Sequence, residues 1–429
     1  MSELKKGQTI QTKGFKSVTV LERLGEGGQG IVYKVDFNGK PMALKWYFKS
    51  KLKNPEKFYD NIKNNIDHGK PTDAFLWPED ITEWVDGTFG YIMPLRPSQY
   101  GDFSKYLLAK SNFKSVRSLV NAALNIVEGF GALHRAGYNY QDLNDGNFFV
   151  NFETGDVLIC DNDNVMGQGY SSGIAGKCRY MAPEVVLGKK PDKQTDRFSL
   201  AVVLFLLLLG NHPLEGKNTN PPCMTEELEK KYYGSDPVFI FDPINKDNSP
   251  IQGIHKSAIA KWPQYPQYIR DAFIKAFGSE QLRGQTPRLM EKEWLETFIR
   301  LRSEIIQCGC GIGHFADPTK GVSCKCGKRI SIPAYLKFKK LNVPLYPTVN
   351  LYACHTISDS EDFKTVTAEV IVSKNNPGSI GVRNLSDITW YVTGADGKAI
   401  PKGKDEVVKI ASGLTIDFGK NLTAEIVGN

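Results

Sequence analysis

At 429 residues the chain is too long for one ordinary core and points to two or three domains; with 41% hydrophobic and 24% charged residues its composition is that of an ordinary soluble protein. A formal charge of +7 is mildly basic and too weak by itself to argue a nucleic-acid partner. No apolar stretch follows the lysines of MSELKKGQTI, and the longest apolar run, Leu200 to Leu209, is about half of a bilayer crossing, so neither export nor a membrane partner is expected. The eight cysteines then read as reduced thiols or metal ligands in a cytoplasmic protein.

After a lead over 1–16, residues 17–35 alternate as strand, turn and strand around a glycine cluster, and 41–48 read as another strand. Residues 55–67 form a polar helix opened by Pro55, and 116–136 carry apolar residues at helical spacing. Residues 147–160 read as a hairpin turning at Glu153-Thr154-Gly155-Asp156. From about 192 to 303 the pattern is helical with prolines between, and Leu200 to Leu209 reads as a buried core helix. Near 307 glycine and cysteine take over, and beyond 330 β-branched residues dominate, as in Thr365–Val372 and Glu406–Ile410.

Six short segments carry chemistry. Gly25-Glu26-Gly27-Gly28-Gln29-Gly30 is a glycine cluster between two strands, where backbone N–H groups can approach phosphates without side-chain obstruction. It does not open a helix, which counts against a dinucleotide fold. Lys45 ends the apolar strand Met42-Ala43-Leu44-Lys45; alone, it would read as a solvated edge lysine. Then come Tyr140-Gln141-Asp142-Leu143-Asn144-Asp145-Gly146-Asn147, Asp161-Asn162-Asp163, Met181-Ala182-Pro183-Glu184 and Asp196-Arg197-Phe198. Asp142 and Asn147 also suit a plain turn.

In this order and at these separations the six segments resemble the protein kinase family, over about residues 17–303. The resemblance implies an α+β, bilobal fold with a β-rich N-lobe (17–93) and a helical C-lobe (97–303), with ATP and Mg²⁺ as cofactors. It implies transfer of the γ-phosphate to a serine or threonine hydroxyl of a protein substrate. Gly25, Gly27 and Gly30 would cover the phosphates; Val32 and Ala43 would pack on the adenine and Phe149 would lie under it. Met93 would be the gatekeeper before a hinge at Pro94-Leu95-Arg96, where Leu95 or Arg96 offers the N–H that Pro94 lacks. Lys45 would hold the α/β-phosphates, Asp142 would accept the substrate proton, and Asn147 and Asp161 would bind Mg²⁺. Glu184 would pair with Arg288, Asp196 would anchor the catalytic loop, and His134 would be structural.

Four departures from the family pattern are visible. Tyr140-Gln141 replaces His-Arg, so activity is not expected to need phosphorylation at Ser171 or Ser172. Asn144 stands where such kinases carry a lysine and Lys177 where they carry a threonine; either Lys177 supplies the displaced cation or it points to solvent. Asp161-Asn162-Asp163 replaces Asp-Phe-Gly, removing an apolar toggle. The helix acid that should pair with Lys45 is not obvious; Asp60 and Glu56 are the candidates.

In 304–329, Cys308-Gly309-Cys310-Gly311 and Cys324-Lys325-Cys326-Gly327 are matched pairs suited to a structural, tetrahedral Zn²⁺ in a zinc-ribbon-like module, although ribbons usually space each pair by two residues. His314 could replace one cysteine. Residues 330–429 read as a β domain, and Ile380–Ser386 with Leu414–Gly419 loosely resemble forkhead-associated β-sandwiches. The whole arrangement resembles bacterial kinases that operate alongside a von Willebrand-type domain protein and a PP2C-type phosphatase, which would be its partners. Lys337, Lys339 and Lys340 read as a solvated face, so a nucleic-acid partner is not expected. The alternative function is a nucleotide-binding pseudokinase scaffold whose zinc and β modules bind a protein or nucleic acid.

Overall fold

Apolar side chains at every second position, from Val18 to Trp46, build the first layer. In the computed structural model, which describes residues 3–52, 54–167, 176–319, 321–374, 376 and 378–428, this layer is a six-stranded antiparallel sheet. Its strands are β1 (Thr9–Gln11), β2 (Ser17–Glu26), β3 (Gly30–Phe37), β4 (Lys40–Tyr47), β5 (Asp80–Ile81) and β6 (Gly90–Pro94), in the order β1-β2-β3-β4-β6-β5. Val18, Val20, Ile31, Tyr33, Val35, Met42, Leu44 and Trp46 share one buried cluster on one face. Because strand side chains alternate, Ala43, Lys45 and Tyr47 point to the opposite face. There Ala43 and Tyr47 pack with Tyr59 and Ile62 of the helix α1 (Pro55–His68). Pro55 opens that helix, where its missing N–H costs nothing, and Gly69 at φ 80° closes it.

The region that follows is helical. Val116–Arg135 forms a long helix, and Phe148–Val150 pairs with Val157–Ile159 as the expected hairpin. The helix Lys193–Leu209 is capped by Asp192, whose side chain accepts from the N–H groups of Gln194 and Thr195, and it ends at Gly210 (φ 70°). Every residue from Phe198 to Leu209 is buried, so this is the core helix the apolar run announced. No helix among the described residues is long and apolar enough to cross a membrane.

The chain divides into two compact units. One takes residues 1–113, 122–264 and 270–294; the other takes 114–121, 265–269 and 295–429. Within the second, two hairpins come first: Ile305–Gln307 pairs with Gly313–Phe315, and Val322–Ser323 with Arg329–Ile330. A six-stranded sheet follows in the order 342–344, 334–337, 423–428, 415–417, 390–393, 399–402, and a four-stranded one in the order 350–352, 366–372, 380–384, 407–409. Leu336, Trp390, Ile416 and Ile426 of the larger sheet and Leu351, Val370, Val382 and Val408 of the smaller share one core, the pattern of a β-sandwich. Cys308 and Cys324 belong to that same core.

Candidate active site and cysteine centre

The glycine turn sits between β2 and β3 and closes on itself, Gly27 N–H donating to the Gly30 carbonyl at 2.9 Å. A Cβ on Gly30 would come within 2.1 Å of the Trp46 carbonyl, so this glycine is demanded by strand packing as well as by any phosphate. Gly25 and Gly27 have open space where a Cβ would be. Val32, Ala43, Met93, Leu95 and Phe149 fall in one apolar cluster, with Ala43 directly opposite Met93 in the β4–β6 register. The Arg96 guanidinium lies 4.2 Å from the centre of the Phe149 ring and pairs with Asp102 at 2.9 Å.

Lys45 is buried in this unit, and its ammonium donates to Asp163 Oδ2 at 2.8 Å and Asp161 Oδ1 at 3.1 Å. Gln29 Oε1 accepts from it at 3.4 Å. Burial opposes the charge, but Asp161 and Asp163 more than offset it and hold the lysine well above its usual pKa. The two carboxylates differ: the Asp161 side chain is 45% exposed, that of Asp163 0%.

From Asp161 the network runs into the loop 140–147. Cys160 N–H donates to the Asn147 carbonyl at 2.9 Å, and Asn147 Oδ1 accepts the Asn144 N–H at 2.6 Å. Asn144 Nδ2 in turn donates to the Asp142 carbonyl at 3.1 Å and to its Oδ1 at 3.4 Å. Lys177 Nζ donates to Asn144 Oδ1 at 2.9 Å and lies 3.5 Å from Asp145. Burial, with help from Asp161, pushes Asp142 up to about 6, while Lys177 and Asn144 pull the other way. Lys45, the carboxylates of Asp161, Asp163 and Asp142, and the amides of Asn147 and Asn144 thus lie along one path, joined by these hydrogen bonds and by the Cys160–Asp161 peptide link. Asp161 and Asn147 are hard oxygen donors, and a carbonyl oxygen that accepts one bond keeps a second lone pair, so the pair suits Mg²⁺.

The protein kinase domain family matches residues 18–237, just over half of the chain. The chain belongs to that family. Its kinase domain is similar to protein kinase C delta type of Mus musculus, at 32% identity over 230 residues, 51% of this chain and 33% of that protein. It is also similar to the probable serine/threonine-protein kinase PknB of Corynebacterium glutamicum, at 25% identity over 254 residues, 56% of this chain and 38% of that protein. The chain therefore spans about a third of the length of these curated relatives.

The scaffold of the kinase domain is tied by buried charges. Arg288 grips Glu184 with two bonds, 2.7 and 2.8 Å, and holds its carboxyl below the usual range against the effect of burial. Asp196 accepts the N–H groups of Tyr140 (2.6 Å) and Gln141 (3.1 Å), fixing the start of the loop 140–147. His134 bridges Asp196 (3.1 Å) and Glu291 (2.8 Å), and Arg197 also pairs with Glu291 at 2.8 Å. In place of the family histidine, the Tyr140 hydroxyl donates to the Cys160 carbonyl just before Asp161.

The expected helix partner of Lys45 is corrected. Neither Asp60 nor Glu56 meets Lys45: both are exposed, because the helical phase turns Tyr59, Ile62 and Asn65 inward instead. Asn61 and Asn65 are the helix residues that reach the Asp163 segment, donating to the Val165 carbonyl at 3.0 and 3.1 Å. Missed from sequence was the pairing of Asp163 with Lys45; its signal was a second carboxylate where the family carries glycine. Asn162 is wholly buried and donates to the carbonyls of Leu76 (2.9 Å) and Ile159 (3.0 Å), so it is pinned to backbone rather than packed in an apolar spine. Ser171 and Ser172 lie outside the described residues.

In the second unit each cysteine pair occupies the tip of one hairpin. Cys308 N–H donates to the Ile312 carbonyl and Gly311 N–H to that of Cys308, at 2.9 and 2.8 Å; Cys324, Lys328 and Gly327 repeat the pattern at 2.9 and 2.9 Å. Gly311 and Gly327 have φ of 91° and 86°, which explains the glycine after each pair. The four sulfurs all lie within 4.8 Å of one another, with Cys308–Cys326 at 3.7 Å and Cys310–Cys324 at 3.5 Å. Zinc with bonds of about 2.3 Å sets its sulfurs about 3.8 Å apart, so the cluster could hold it. His314 is not part of the group, which corrects its candidacy: it lies on the strand Gly313–Phe315, past the turn.

Proposed function

We propose that this chain is an ATP-dependent protein serine/threonine kinase. The observation that carries the reading is the continuous path from Lys45 through Asp161, Asn147 and Asn144 to Asp142. Lys45 binds the α/β-phosphates, and Val32, Ala43, Met93, Leu95 and Phe149 enclose the base. Asp161 and Asn147 hold Mg²⁺, which supplies charge neutralisation on the phosphates. Asp142 orients the substrate hydroxyl and accepts its proton, a role open to it only when ionised. Lys177, hydrogen-bonded to Asn144, provides the cation beside Asp142 that the catalytic loop itself lacks. The retained Ala-Pro-Glu segment, tied by Arg288, favours a protein over a small-molecule acceptor. In the second unit Cys308, Cys310, Cys324 and Cys326 hold a structural Zn²⁺.

The test is incubation with γ-labelled ATP and Mg²⁺, followed by hydrolysis of the labelled protein. Label recovered as phosphoserine or phosphothreonine supports the reading. Nucleotide bound without any transfer would replace it with the scaffold reading.

A further inference from the structure

Fixing a lysine ammonium in a buried cleft needs a counter-charge that does not leave, because an unpaired buried ion is strongly disfavoured. Asp161 is poorly suited to that duty: its side chain is nearly half exposed, and its oxygens are the metal donors of the proposed reaction. Asp163 differs in each respect. It is fully buried, it is the nearer partner of Lys45 (2.8 against 3.1 Å), and the same Oδ2 receives the Tyr47 hydroxyl. Its position is fixed from both sides. Asn162 is pinned to the carbonyls of Leu76 and Ile159, while Asn61 and Asn65 of α1 donate to the Val165 carbonyl at 3.0 and 3.1 Å. On the helix, Asn61 presents an amide where an acid could have reached this segment.

We infer that Asp163 is the positioning residue of Lys45: the counter-ion stands not on α1 but at the third residue of Asp161-Asn162-Asp163, so that Asp161, whose Oδ1 also meets Lys45 at 3.1 Å, need not be its sole partner when it holds metal. Three hydrogen bonds hold the acid in register, from the Tyr47 hydroxyl to its carboxylate and from the Asn61 and Asn65 amides to the Val165 carbonyl that follows it. Lys45 is thereby oriented by the segment that carries the metal ligand, and α1 meets that segment through Asn61 and Asn65. The inference rests on the kinase reading for its consequence, though not for its geometry.

A double-mutant cycle on the full chain tests it, with MgATP affinity measured by calorimetry and transfer measured with labelled ATP. Asp163→Asn should weaken MgATP binding about tenfold or more and raise the Mg²⁺ needed for half-maximal binding, because Lys45 then falls back on Asp161. In a Lys45→Met background the same substitution should change affinity less than about twofold, since its target is gone. Adding Asn61→Glu to Asp163→Gly should restore a large part of the lost affinity by returning an acid to the helix. Full affinity in Asp163→Asn, or an equal further loss in the Lys45→Met background, would overturn the inference. Should Asp163→Asn alone not fold, a loss of about tenfold or more between Lys45→Met and Lys45→Met/Asp163→Asn would still overturn the inference, and a change under about twofold would support it. Absence of transfer by the wild type, with the affinity pattern intact, would instead count against the kinase reading alone.

Discussion

Each half of the cysteine centre is a five-residue turn, 308–312 or 324–328, complete with its own hydrogen bonds and its own left-handed glycine. The proposed nucleotide site draws Lys45, Asp142, Asn147, Asp161, Asp163 and Lys177 from β4, the loop 140–147 and the segments beyond it; the loop carries its own Asn144–Asn147 bond, but the pairing of Lys45 with Asp161 and Asp163 joins segments more than a hundred residues apart. Local turns make a site that depends mainly on its ligands. A cleft assembled from distant segments depends on the buried ion pairs that hold those segments in register.

The sharpest test of the first half is metal removal. Purified protein should contain one zinc per chain, and chelation should cost the second unit on the order of 10 kcal/mol, read as a new low-temperature melting transition. Metal analysis without zinc breaks that half of the comparison. For the cleft, Glu184→Gln leaves Arg288 buried without its carboxylate and should cost about 3 kcal/mol in chemical denaturation. An unchanged midpoint would mean that the pair does not support the scaffold.

Lys177→Ala should act on chemistry rather than stability, lowering the transfer rate about tenfold, at the low end for a single electrostatic group because the lysine is more than half exposed. Transfer should fall as pH drops through about 6, where Asp142 takes up a proton, and without Lys177 that midpoint should move upward. A rate and midpoint both equal to wild type would return Lys177 to a solvated role.

The smallest effect belongs to His134. Burial lowers its proton affinity, but Asp196 and Glu291 outweigh it and raise the pKa. A raised pKa in the folded state gives stability that is complete below about 6.5 and is lost as pH rises through the folded value. Melting temperature should therefore decline on the alkaline side, and His134→Gln should flatten that slope.

Much of this was legible in the sequence, for identifiable reasons. The alternation of β2 to β4, the apolar run in the helix 193–209 and the Cys-x-Cys-Gly turns are local patterns, and local patterns survive without knowledge of the partner. The ion pair of Glu184 with Arg288 was legible through the order of motifs. The counter-ion of Lys45 was not, since spacing alone pointed to Asp60 on α1, while helical phase and the burial of Asp163 decide the outcome only in three dimensions. Asn61, Asn65 and Tyr47 were silent for the same reason: an amide or phenol shows its partner only once the backbone it meets is folded.

The most direct measurement is the rate of γ-phosphate transfer by the 429-residue chain in MgATP, wild type against Asp142→Asn, with nucleotide affinity measured in parallel. Loss of general-base function should lower the rate by about a hundredfold to ten-thousandfold while the affinity stays within about twofold. Equal rates in the two proteins, or no transfer by either, would contradict the assignment of this cleft to catalysis.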